Sequence, residues 1–138
     1  MINKIKLLDC TLRDGGYINN WEFKEEHTFR ILNALNLSKI SIVECGYLND
    51  KKVQQKDSTL FDSVNSVDGI LNKINFNTDI EKVVMINLGD YDISKLENKS
   101  KTSIDGIRLA FHKKDMTSAF ATAYKIKELG YKLYFQPM

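Results

Sequence analysis

Apolar positions along the chain fall into short blocks separated by polar stretches, and the spacing inside the blocks alternates between two periods. Residues 4–10 are apolar in the middle and predict a first strand. From 23 to 36, Phe23, Thr28, Ile31, Leu32 and Leu35 recur at spacings of three, four and seven, with Lys24, Glu25 and Glu26 on the opposite side, which predicts a helix. Residues 40–45 (ISIVEC) are rich in β-branched side chains and close on Gly46, as a second strand would. Strand, helix and strand in close succession predict a right-handed βαβ unit and therefore a parallel sheet.

Residues 47–81 are polar and rich in Asn, Asp and Ser, with one short predicted helix over 68–74. That length exceeds an ordinary connection and implies a loop as well as a helix. Residues 83–88 (VVMINL) are apolar throughout, the pattern of a strand covered on both faces, and Gly89-Asp90 ends them. Only a weak helical pattern occupies 92–101, and 106–111 (GIRLAF) gives a fourth strand. Asp115 is placed to cap a helix whose Met116, Ala119, Phe120, Ala123 and Ile126 form one buried face, and Gly130 ends it. A fifth strand covers 131–136. The unit that repeats is strand followed by helix.

Composition narrows the class. With 138 residues, 43% of them hydrophobic and 28% charged, the chain has the size and mixture of one globular domain. Twenty basic and 18 acidic residues are interspersed, so no basic stripe calls for nucleic acid. No apolar run approaches the ~20 residues that span a bilayer, and the first ten residues lack a signal peptide's apolar stretch, so no membrane partner is expected and the cytoplasm is the expected compartment. Cys10 and Cys45 sit near strand ends without a framework spacing and read as buried, reduced thiols, with a disulfide or metal pair as the alternative that closeness on neighbouring strands would allow.

The candidate chemistry lies in residues 7–23, LLDCTLRDGGYINNWEF. An apolar run stops at Arg13 and Asp14 and turns through Gly15 and Gly16 before the helical pattern begins. Arg beside Asp at the end of a strand sets a cation and a hard oxygen ligand side by side, able to hold a substrate anion or a metal. Glu44 lies in an otherwise apolar strand, where an unpaired carboxylate is costly, so it calls for a cationic partner: Arg13 or Arg108. His112 reads equally as a site residue and as a solvated residue beside Lys113 and Lys114. His27 belongs to the polar face of the first helix.

The run Thr11-Leu12-Arg13-Asp14-Gly15 resembles the T-L-R-D-G signature that ends the first strand of the HMG-CoA lyase-like, or DRE-TIM metallolyase, family, and most closely its 4-hydroxy-2-oxovalerate aldolase type. Residues 42–47 (IVECGY) resemble the family's second strand, and Ile107-Arg108-Leu109-Ala110-Phe111-His112 resembles, more weakly, an Arg-Val-Ala-x-His strand. The resemblance implies a TIM barrel in which Asp14 binds a divalent cation, Mn²⁺ or Mg²⁺, and Arg13 stabilises an enolate. Glu44 would complete the Asp-Arg-Glu set by fixing the Arg13 rotamer. Tyr17 stands where the related aldolases carry a catalytic histidine, and would have to act as general acid or base; His112 would contact substrate at the barrel mouth. The family's His-x-His metal ligands have no counterpart, since His27 and His112 are the only histidines.

Such a barrel closes with eight strands and ~250 residues, so five strands make its N-terminal half. The implied activity is metal-dependent carbon–carbon cleavage of a 2-oxo acid. The half alone is expected to be inactive or very weak, and to pair as a homodimer or with a C-terminal half, because its edge strands would otherwise stay unpaired. The alternatives are an acyl-CoA-dependent Claisen-type acyltransferase of the isopropylmalate or homocitrate synthase type, and a non-catalytic half-barrel binding module.

Overall fold

The computed structural model describes residues 5–52 and 56–138. Its sheet is parallel, and five strands form the main path: β1 (Leu8–Asp9), β2 (Ile42–Leu48), β4 (Glu81–Asn87), β5 (Gly106–Phe111) and β6 (Lys132–Pro137), with β3 (Leu60–Phe61) paired to β2 off that path. The helices are α1 (Thr11–Asp14), α2 (Gly16–Asn19), α3 (Glu25–Ser38), α4 (Val64–Leu71) and α5 (Met116–Glu128). This is an α/β half-barrel. Among the described residues β1 and β6 each pair on one side only.

Side-chain alternation divides the sheet. Val43, Cys45, Leu48, Val84, Ile86, Ile107 and Leu109 pack with Leu32 of α3, Val64, Val67 and Leu71 of α4, and Ala123 and Ile126 of α5 into one large core. The alternate positions, among them Glu44, Tyr47, Met85, Arg108 and Ala110, face the concave side. There Trp21, Tyr47, Leu60, Met85 and Ala110 form a second, small cluster. The outer layer is the ordinary hydrophobic core, and the inner layer mixes apolar and charged groups.

The residues of β5 coincide with the fourth predicted strand, because a six-residue apolar run flanked by polar turns leaves few alternatives. Elsewhere the structure differs. The predicted first strand shrinks to Leu8–Asp9, since the chain already turns helical at Thr11; Lys4 lies outside the described residues. The second strand does not close at Gly46. It runs on to Leu48 through a register irregularity between Glu44 and Tyr47. Gly46 is required there by close approach: a Cβ would lie 2.4 Å from the Thr59 carbonyl oxygen and 2.5 Å from the Phe61 ring.

The short helix of the polar segment is Val64–Leu71, four residues earlier at its start than predicted, because Ser63 caps it by accepting from the Ser66 amide at 3.2 Å. Two 3₁₀ turns, Ile93–Lys95 and Lys99–Lys101, replace the weak helix between β4 and β5. In α5, Ala119, Ala123 and Ile126 are buried as expected, but Phe120 is 50% exposed and Met116 39%. Phe120, with Tyr124, Leu133 and Phe135, lines a groove between α5 and β6. Asp115 precedes α5 without a side-chain capping bond, and Gly130 (φ +90°) ends it as predicted.

At the amino end of the strands, Glu81 accepts from Lys6 Nζ (2.6 Å) and from the Tyr134 hydroxyl, with Lys132 Nζ at 3.1 Å. Burial raises its pKa, but these three donors outweigh burial and hold it at about 2. An unfolded glutamate titrates at about 4.3, so the stabilisation is complete above that pH and disappears as the pH falls from there towards 2. Urea unfolding of wild type and Glu81→Gln should differ by about 2 kcal/mol at pH 7, and the difference should vanish near pH 2.

Candidate functional site

Arg13 and Asp14 do not project from a slack glycine loop. They lie on the single helical turn of α1 directly after β1, with Gly15 itself helical (φ −59°). The turn is held by backbone bonds from Asp14 N to the Cys10 carbonyl (2.7 Å) and from Gly15 N to the Thr11 carbonyl (2.9 Å). The buried Thr59 hydroxyl donates to the Leu12 carbonyl at 2.7 Å, and Trp21 Nε1 donates to the Arg13 carbonyl at 2.9 Å. Four restraints therefore fix the backbone that carries the two side chains.

Trp21 is the centre of this bracing. Its φ of +59° is in the left-handed region, which a bulky residue rarely enters, and Asn20 before it is also left-handed (φ +55°). The indole lies directly on Gly16, where a Cβ would come within 2.0 Å of it. Tyr17 meets it edge-on (4.9 Å between centroids), and Tyr47 is tilted against it at 5.5 Å.

The charges converge on Glu44, which is fully buried. Arg13 Nε donates to Glu44 Oε1 at 2.6 Å. Arg108 donates to both Glu44 oxygens, from Nη2 to Oε1 at 2.7 Å and from Nε to Oε2. Of the two partners expected for Glu44, it has both. Arg108 also donates to the Gln136 side-chain oxygen and, at 3.4 Å, to Met85 Sδ. Arg13 Nη1 donates to Asp14 Oδ1 at 2.8 Å, and Arg13 Nη2 makes no hydrogen bond among the described residues. Burial works against the Arg13 charge. The bond and charge of Glu44, with Asp14 behind them, outweigh it and hold the Arg13 pKa above its ordinary value.

Arg13, Asp14 and Glu44 are thus brought together. Tyr17 is exposed, edge-on to the Trp21 ring. His112 is exposed just past the carboxyl end of β5, and His27 is exposed on α3. Cys10 is partly buried and Cys45 buried, both as free thiols; burial raises both pKa values and leaves them protonated. Tyr47 donates to Asp90, which also accepts from Asn87 Nδ2 at 3.1 Å; burial and then Asp90 push the Tyr47 pKa upward, so it stays a donor. The role of Trp21, and of Thr59 beside it, had no sequence signal, because each side chain donates to a backbone carbonyl, of Arg13 and of Leu12, that no local pattern marks as its partner. Gln136 likewise has meaning only through the neighbouring strand, on which it meets Arg108.

Among the described residues no three His, Cys, Asp or Glu side chains cluster as metal ligands. Asp14 is 63% exposed, and one of its oxygens already accepts from Arg13. Divalent ions of the Mg²⁺ type take about six ligands, so these residues do not by themselves form the expected metal site.

Fold and site define a parallel α/β half-barrel with a braced, ion-paired arginine at the carboxyl ends of its strands. No protein-family model and no curated protein matches the chain. Among solved structures it is similar to the N-terminal domain of a "putative aldolase" from Bacteroides vulgatus, with 26% identity and a TM-score of 0.65. The match covers 97% of this chain and 44% of that one, so the chain spans less than half the length of its structural neighbour. The half-barrel is therefore aldolase-like in its fold. Among the described residues no helix is long and apolar enough to cross a membrane.

Proposed function

We propose that this half-barrel carries the enolate-stabilising part of an aldolase acting on a 2-oxo acid. The observation behind the reading is Arg13, whose Nε is locked by buried Glu44 while Nη2 is left unengaged beside the mouth. Cleavage of a 4-hydroxy-2-oxo acid breaks the C3–C4 bond and sends its electron pair onto the C2 carbonyl oxygen, giving an enolate and an aldehyde. A fixed guanidinium at that oxygen stabilises the charge as it develops, without reorganising. Arg13 also matches the planar substrate carboxylate. Tyr17, edge-on to the indole that braces Arg13, is the proposed proton carrier for the C4 hydroxyl, and His112 the proposed contact for the far end of the substrate.

A divalent cation, Mn²⁺ or Mg²⁺, belongs to the reading only with ligands beyond Asp14 supplied from outside the described residues. A partner is part of the proposal too, either a second copy or a C-terminal half-barrel. The unpaired β6 edge and an apolar groove of about 270 Å³ between α5 and β6, lined by Phe120, Tyr124, Leu133 and Phe135, support it. Catalysis by the half-barrel alone is expected to be very weak, so binding is the decisive measurement. Titrating the chain with pyruvate, followed by the fluorescence of its single tryptophan, Trp21, should give saturable binding that Arg13→Gln weakens at least about tenfold. Equal binding by the variant would refute the assignment.

A further inference from the structure

We infer that Arg108 is a positioning residue that takes up the charge of Glu44 and so leaves the charge of Arg13 available to an anion. The inference rests on the reading that Arg13 meets the anionic oxygen of the substrate. It assigns the requirement for that anion to a third residue which does not itself touch it.

Glu44 has one negative charge and two cationic partners. Arg108 grips both carboxylate oxygens in the bidentate geometry that best compensates a carboxylate, and its Nη1 is committed to Gln136. Its side chain is 9% exposed, and Nε, Nη1 and Nη2 are all engaged within the protein. Arg13, by contrast, meets Glu44 through Nε alone and keeps its Nη2 edge unengaged. Arg13, Arg108 and Glu44, the last two buried and Arg13 partly so, therefore carry one positive charge in excess, at the guanidinium whose Nη2 is unengaged. The other partner of Arg13, Asp14, takes only Nη1 and is 63% exposed, so as a solvated ion pair it offsets the Arg13 charge weakly and leaves the Nη2 edge open.

Without Arg108 the same glutamate would become the full counter-charge of Arg13. An entering carboxylate would then meet a neutral pair, with the negative end of Glu44 behind it. The ratio of two arginines to one glutamate thus suits the concave face to a small monoanion such as a 2-oxo carboxylate.

The test is a charge-balance cycle on the whole chain, with Trp21 fluorescence as readout and pyruvate and acetate as separate probes. Arg108→Gln should weaken both carboxylates about tenfold or more. Adding Glu44→Gln to Arg108→Gln restores one net positive charge and should bring affinity back to within about threefold of wild type. Arg108→Lys, which keeps the charge and loses the bidentate grip, should stay within about threefold as well, and serves if the glutamine variant does not melt cooperatively. A loss that persists in the double variant, no loss in Arg108→Gln, or no binding of either carboxylate by wild type would overturn the role of Arg108. Acetate following the cycle while pyruvate binds no better than acetate would leave the Arg108 role intact and remove the 2-oxo acid reading.

Discussion

Glu44→Gln should lower the unfolding free energy by about 3–5 kcal/mol, because it removes the buried carboxylate shared by the buried Arg108 and part-buried Arg13 guanidinium groups. The isosteric amide can still accept one hydrogen bond, but its NH₂ would face an arginine, and the cations would repel each other in a poorly solvated site. A domain of this size is stable by about 5–15 kcal/mol, so the loss should appear as a fall of roughly 10–20 °C in Tm. Arg108→Gln should cost less than Glu44→Gln, since it leaves a matched Arg13–Glu44 pair. Thermal and urea melts of the two variants in one buffer give the comparison, and a Glu44→Gln melt within about 1 kcal/mol of wild type would show that the charges are not confined as the geometry has them.

Gly16→Ala is the second large effect, expected at about 2–3 kcal/mol of destabilisation. The new methyl would lie 2.0 Å from Trp21 Cδ1 and 2.2 Å from Nε1, and the ring has little room to retreat. The Arg13 carbonyl holds its nitrogen, Tyr17 and Tyr47 flank it, and its amide donates to the Gly16 carbonyl at 3.0 Å. Displacing the indole would also loosen the α1 turn, so carboxylate affinity at Arg13 should fall together with stability. Gly69→Ala is the control. That glycine lies inside α4 with nothing within 4 Å of the place an added methyl would take, so alanine there should be neutral or stabilising by up to about 1 kcal/mol. Similar urea midpoints for the two alanine variants would remove Trp21 from its bracing role.

The contrast between those two glycines shows where local reading stops. Both are helical or nearly so in the folded chain, and nothing adjacent to Gly16 in the sequence says that an indole five residues on will double back over it. The strands and helices, by contrast, were largely legible. A six-residue run such as GIRLAF or a three-four spacing such as that of Ile31, Leu32 and Leu35 carries its own period, and burial of an apolar face rewards only one conformation. The β2 extension was not legible, because Gly46 reads as a terminator until Thr59 and Phe61 are seen packed against it.

By itself the sequence determined that β and α units alternate and that the sheet is parallel, and it offered Arg13, Asp14 and Glu44 as candidate charged residues. The first two follow from local period and chain handedness; Arg13 and Asp14 were singled out by the resemblance of Thr11–Gly15 to a family signature, and Glu44 by the cost of a lone carboxylate in an apolar strand. Only the tertiary structure decided how those charges are shared. Glu44 lies 31 residues from Arg13 and 64 from Arg108, and which guanidinium takes one oxygen and which takes two depends on strand register and on the Trp21 brace, neither of which any local pattern encodes.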